Sequence, residues 1–242
     1  MRDLQIFLIL AGLAMAGTCA QALERTNHAF GVFEFQPTTT GVLIAAPHGT
    51  FDSNTAPIAL EAARLLGAGH VTTQRFVVDR VRLNVNRPTE GASLSCAQEA
   101  RTDRARDVYE NYAGLVSKAS SGRPLRLYVE VHGNSRSQSS ERIEVAARGI
   151  SADQAKKIKD AYAAILAKVR KEDSGYPDLA LAIEPRDQIF FTASCAKNLG
   201  ILASDLAPRA LHFELPRSAR AQAELKATGL LISEIVRTIL ND

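Results

Sequence analysis

Apolar and polar positions alternate along this chain in two distinct rhythms, and the rhythms divide it into strands and helices. Val42–Ala46 is an unbroken apolar run, the pattern of a strand buried on both faces. The segment "TAPIALEAARLLGA" after it has helical spacing, with Asn54 or Thr55 in position to cap it. Val71–Val78 and Val81–Val85 are short strand-like runs separated by Asp79 and Arg80. Ala97–Lys118 is patterned as a helix with one charged face, closed by Ser-Ser-Gly. "LRLYVEVHG" predicts another strand. Ser151–Glu172 predicts a helix that opens on an S-x-x-Q capping box, Ser151 and Gln154. "LALAI", "QIFF" and "ALHFEL" predict further strands, and "ARAQAELKATGLLISEIVRTIL" a long amphipathic closing helix.

Strands alternating with helices, without an internal repeat or low-complexity linker, predict one α/β domain. Its centre is a mixed, mostly parallel sheet flanked by helices over residues 23–242. In such sheets ligands collect at the carboxyl ends of the strands. Two of the predicted strands end there on a histidine: "APHG" at His48 and "EVHG" at His132.

Residues 1–22 stand apart from this pattern. Ile6–Ala16 is apolar but shorter than the roughly 20 residues a membrane span needs, and Ala20-Gln21-Ala22 fits a signal-peptidase site. The expectation is an exported protein, periplasmic or secreted, without stable membrane insertion after cleavage; an uncleaved leader would instead anchor it. Arg2 and Asp3 cancel, so the formal net charge of +3 belongs equally to the mature chain. Removal of Cys19 leaves Cys96 and Cys195, an even pair that in an exported chain is a candidate disulfide.

That charge is too mild, and its basic residues too dispersed, for a nucleic-acid partner. The basic residues between Arg75 and Arg106 fit either a solvated face or a pocket for an anionic substrate. Several enzyme classes are also missing their motifs. No P-loop or dinucleotide fingerprint is present, "GNSRS" breaks the G-x-S-x-G elbow at its last position, and Pro47 stands where a histidine phosphatase has arginine.

The candidate chemistry therefore rests on histidines and carboxylates. His28 and His70 read as ordinary surface residues. His48 and His132 can supply two imidazoles to a zinc ion, which in hydrolases commonly takes three protein ligands from His and carboxylate. Asp52 is the nearest carboxylate to His48 and serves either as third ligand or as a cap for the following helix. His212 and Glu214, two apart on a strand, point to one face. A glutamate beside activated water can act as general base, or else it closes a buried ion pair with an arginine. Asn86-Arg87 offers a planar fork suited to a carboxylate, or an ordinary salt bridge.

Taken in order, "APHGT", "RFVVDRVRLNVNRP", "LYVEVHG" and "LHFELP" resemble the N-formylglutamate amidohydrolase family, itself similar in layout to the zinc carboxypeptidases. The resemblance spans about Val42 to Arg217. It implies a zinc-carboxypeptidase-like α/β fold with one Zn2+, His48 and His132 as metal histidines, Glu214 as the catalytic glutamate, and Asn86 and Arg87 as the pair that grips a substrate carboxylate. The carboxypeptidases place a glutamate three residues after the first histidine; here Phe51 occupies that position, and Asp52 would have to substitute. The resulting expectation is an exported zinc-dependent hydrolase of an amide bond next to a free carboxylate, acting on a small acidic amide or peptide. A peptide, a γ-glutamyl polymer and a cell-wall fragment all remain open as substrates. The alternative is an exported binding protein whose degenerate metal site holds an acidic ligand without turnover.

Overall fold

The computed structural model describes residues 22–92 and 95–241, so all but the last residue of the expected leader lies outside the described residues. Among the described residues ten strands and five α-helices follow one another. A polar edge hairpin, β1 (Glu24–His28) and β2 (Gly31–Gln36), leads into β3 (Val42–Ala46), α1 (Thr55–Leu66) and β4 (Gly69–Arg75). A two-residue hairpin comes next, β5 (Val77–Val78) and β6 (Val81–Arg82), and then α2 (Asp103–Ala119). The second half runs β7 (Leu127–Gly133), β8 (Arg142–Arg148), α3 (Ala152–Glu172), β9 (Ala180–Ile183), α4 (Ser194–Leu199), β10 (Ala210–Leu215) and α5 (Leu225–Leu240).

Eight strands form one sheet in the order β1-β2-β4-β3-β7-β10-β8-β9. Its centre, β4-β3-β7-β10, is parallel, and β2 and β8 join it antiparallel. The result is the expected single α/β domain with a mixed, mostly parallel sheet. Both faces are covered, which is why β3 reads as an uninterrupted apolar run: all five of its residues are buried. One core packs α1, α3 and α5 against Ile44, Val129 and Phe213. The other packs α2 and the 76–85 segment against Leu43, Ala45 and Tyr128. Among the described residues no helix is long and apolar enough to cross a membrane.

Several elements depart from the predicted pattern, each for a local reason. The helix predicted from Ala97 begins at Asp103, because the Thr102 side chain caps it by accepting from Ala105 N at 3.2 Å. The residues before it are held otherwise, by a Cys96–Cys195 disulfide and by burial of Glu99. "QIFF" is not a strand. The backbone N–H groups of Phe190 and Phe191 both donate to Glu144 Oε2, each at 2.8 Å, in place of a neighbouring strand. The 71–85 region breaks at Arg75 and Phe76, whose φ values are positive, and turns at Asp79 and Arg80, again both positive, as a two-residue hairpin connection requires. Leu83–Val85 makes no strand beyond a bridge from Leu83 to Glu90. The closing helix starts at Leu225 after two short 3-10 turns. His70 is a buried residue of β4, not a surface one, and the half-buried His28 packs among Phe30, Phe33 and Phe76.

Candidate metal centre

Sheet order and register assemble the site. β3 and β7 are parallel neighbours, so the histidines at their carboxyl ends arrive side by side. Pairing of β7 with β10 sets His132 opposite Glu214 and Glu130 opposite His212. The chain leaving β3 folds back at once: Phe51 N and Asp52 N both donate to His48 O, at 2.9 and 2.8 Å. That turn carries the Asp52 carboxylate to the His48 ring. Asp52 does not cap α1 with its side chain; only its backbone carbonyl accepts, from Thr55 N and Thr55 Oγ1.

Three donor atoms converge as a result. His132 Nδ1 lies 3.1 Å from His48 Nδ1 and 3.2 Å from Asp52 Oδ2, and the third edge, His48 Nδ1 to Asp52 Oδ2, is 3.4 Å. Ligands at zinc–nitrogen and zinc–oxygen distances in tetrahedral array stand about 3.3 Å apart, so this triangle fits a zinc ion. All three residues are buried but line a cavity of about 300 Å³.

Glu130 organises the layer beneath. Its Oε2 accepts from His132 Nε2 (3.0 Å), His212 Nδ1 (2.8 Å) and Asn86 Nδ2 (3.0 Å), and its Oε1 accepts from the Tyr128 hydroxyl (3.1 Å). Holding His132 by Nε2 presents Nδ1 to a metal, the usual role of an outer carboxylate. Glu130, His132 and His212 also form a possible metal-ligand group. Glu130 is wholly buried, does not face the cavity, and already accepts from the Asn86 amide, so the upper triangle is the group that better fits an ion.

The electrostatics favour a cation there. Burial works to raise the carboxyls of Asp52 and Glu130, yet hydrogen bonds from the histidines outweigh it and hold both well below the carboxylate range. Burial likewise opposes charge on His132, but those two carboxylates win and push it up to about 9. His48 goes the other way, lowered by burial and then by the nearby Arg82 charge.

The remaining predicted residues fall in two places. Glu214 lines the cavity, with Oε1 3.3 Å from His212 Nε2. Arg87 also lines it, but its fork is already engaged: Nε and Nη2 donate to Glu99 at 2.8 and 2.6 Å, and Nη1 to Asn86 Oδ1 at 3.2 Å. Asn86 turns inward to Glu130 and does not reach the cavity. Arg82 lines it too, its Nε without a hydrogen-bond partner, within reach of the charges of Asp52, Glu99 and Glu214 and with its guanidinium 5.8 Å from the exposed Phe51 ring. The disulfide closes this side, tying the Glu99 loop to α4.

Glu130 and Arg220 escaped the sequence reading. A glutamate in mid-strand, two before His132 and so on its face, was the available signal for Glu130. Arg220 had none. It donates to Leu215 O (3.2 Å), Ser53 O (2.7 Å) and Asn134 O (2.9 Å), joining the three loops that leave β10, β3 and β7. It also explains the glycine of "VHG", since a Cβ at Gly133 would overlap the pinned Arg220 guanidinium. Gly133→Ala is therefore expected to destabilise the protein by about 1–3 kcal/mol, read as a lower urea midpoint at unchanged slope.

No protein-family model and no curated protein sequence matches the chain. Solved structures do. A bacteriophage poly-gamma-glutamate hydrolase is similar at TM-score 0.50 and 11% identity, over 89% of this chain and 92% of its own. Gene product Atu2144 of Agrobacterium tumefaciens is similar at TM-score 0.52 and 13% identity, over 86% and 93%. A metallo-carboxypeptidase from Burkholderia cenocepacia gives 0.48 and 12%, over 89% and 65%. The likeness to the first two is one of fold: nearly the whole of each chain shares the α/β architecture described above.

Proposed function

We infer that the chain is an exported zinc-dependent hydrolase of an amide bond next to a free carboxylate, related to the N-formylglutamate amidohydrolases. The observation that carries this reading is the triangle of His48 Nδ1, Asp52 Oδ2 and His132 Nδ1, open to a cavity shared with Glu214 and three arginines, Arg82, Arg87 and Arg136. That one solved neighbour is a poly-gamma-glutamate hydrolase agrees with an acidic amide as substrate.

His48, Asp52 and His132 would hold the ion, which when bound supplies Lewis acidity toward a carbonyl oxygen and acidifies water. The chain's own groups do the rest. Glu214 takes a proton from the attacking water as its oxygen bonds to the carbonyl carbon. The same carboxyl returns that proton to the amine nitrogen as the C–N bond breaks, leaving a carboxylic acid and a free amine. His212 holds Glu214 in place. Arg87 keeps two of its five N–H groups free of protein partners, and Arg82, whose buried Nε has no hydrogen-bond partner, adds a second guanidinium. Together they suit a substrate carboxylate.

Elemental analysis of the purified mature protein tests the reading, paired with hydrolysis of N-formylglutamate and of γ-glutamyl peptides. About one zinc per chain and release of free amine are expected. A protein that takes up no zinc when it is supplied would be the binding protein with a degenerate site.

A further inference from the structure

The loop leaving β7 carries two groups that the reaction above does not use. Asn134 is buried, 5% exposed, and lines the cavity, yet its Nδ2 has no hydrogen-bond partner. Its orientation is settled locally, because the backbone N–H of Arg136 donates to Oδ1 at 3.3 Å and leaves Nδ2 as the free end. A buried amide donor without an acceptor is unfavourable unless something supplies one.

Arg136, two residues on, lines the same cavity, and among the described residues no carboxylate pairs with it. Its guanidinium rests instead on two aromatic rings, 4.7 Å from the Phe190 centroid and 5.7 Å from that of Phe191. Stacking in this way fixes the plane of the fork while leaving its N–H edges available. The shelf is itself built. Glu144, wholly buried on β8, accepts from both backbone N–H groups of that segment, and so holds Phe190 at the cavity rim although it is 40% exposed.

This second cationic place is distinct from the first. Arg82 leans on Phe51, in the loop leaving β3; Arg136 leans on a segment pinned to β8. β3 and β8 are three places apart in the sheet, about 14 Å at the usual strand spacing. The metal triangle and Glu214 belong to β3, β7 and β10, the strands from which the space between is lined.

We propose that Asn134 and Arg136, backed by Phe190 and Phe191, form a second carboxylate subsite, so that the preferred substrate carries an acidic group on each side of the scissile amide. The preferred substrate class is then an acidic oligopeptide or glutamyl polymer, ahead of an N-acyl amino acid whose carboxylates all lie on the amine side. This rests on the hydrolase reading for the position of the scissile bond. The subsite itself stands on Asn134, Arg136 and their shelf.

Two peptides that differ in one group test it: N-acetyl-Glu-Glu and N-acetyl-Gln-Glu. Binding is followed by calorimetry and cleavage by amine release, on the mature protein and on Arg136→Gln and Asn134→Ala. The wild type is expected to favour the Glu-Glu peptide by roughly 10- to 100-fold, the range for hydrogen bonds to a charged group. Arg136→Gln should bring that ratio close to one while leaving the Gln-Glu peptide unchanged, and Asn134→Ala should lower it part of the way. A preference in binding without cleavage supports the subsite and overturns the hydrolase reading. Cleavage of both peptides at equal efficiency, or a ratio that survives Arg136→Gln, overturns the subsite and leaves the hydrolase. If neither peptide binds, both are overturned.

Discussion

His132→Ala is expected to abolish zinc binding and amide hydrolysis together. His132 occupies the one position that belongs to both layers of the site: Nδ1 faces Asp52 and His48, and Nε2 is held by Glu130. Removing it deletes a metal ligand and also takes from two buried carboxylates, Asp52 and Glu130, one of the two histidines that hold each of them ionised. Losing one partner of a buried pair costs about 3–5 kcal/mol, so the variant should also melt earlier. Glu130→Gln separates the two effects. It keeps all three ligand atoms and removes the outer carboxylate, for which a fall in metal affinity of roughly 10- to 100-fold is the usual range. Zinc titration of the two variants beside the wild type, with circular dichroism to confirm folding, should rank them in that order. A folded His132→Ala protein that retains one zinc and full turnover would sink the assignment.

The residues just compared also mark how far the sequence is legible. His48 and His132 were visible because each terminates an apolar run, and two such ends become neighbours once β3 and β7 pair in parallel. His212 and Glu214 were visible through strand periodicity alone. The arrangement around Arg87 was not. Its partner Glu99 lies twelve residues on, in a segment that sequence patterning assigns to a helix and the Cys96–Cys195 disulfide holds outside one. Three strands were overlooked for a simpler reason. β1 is an edge strand with its three central residues exposed, so it has no apolar signal; β2 pairs with it. β8 does alternate, with Arg142, Glu144 and Arg148 on one face and Ile143 and Val145 on the other, but its run is short and only Ile143 and Val145 are large apolar residues. Arg220 reaches its three carbonyls only in the finished fold. Ligand positions follow from local pattern, whereas the groups that hold them arise from chain crossings that no window of sequence contains.

Glu214→Gln should produce the opposite separation from His132→Ala: zinc retained near one per chain, substrate still bound, and turnover lowered by roughly 10²- to 10⁴-fold, the contribution of a positioned general base. Gln has the same shape but accepts no proton at neutral pH, so the change isolates proton transfer from packing. The setting permits it. Glu214 is only partly buried, lies on the cavity, and is not one of the three atoms of the metal triangle. Its contact with His212 Nε2, at 3.3 Å, is with a ring already held at Nδ1 by Glu130, so the glutamine can keep a hydrogen bond there and the local fold should persist. The kinetic signature is a fall in kcat with KM little altered, since the carboxylate acts on the water and the leaving amine and does not grip the substrate. His212→Ala, which removes the group that steadies Glu214 and also one hydrogen bond to Glu130, should show a smaller fall in kcat, with some weakening of zinc binding beside it. If Glu214→Gln lost metal instead, the carboxylate would belong to the coordination sphere. If it lost neither metal nor rate, another group must carry the proton from water to amine, and the cavity offers Asp52 only by removing it from the metal.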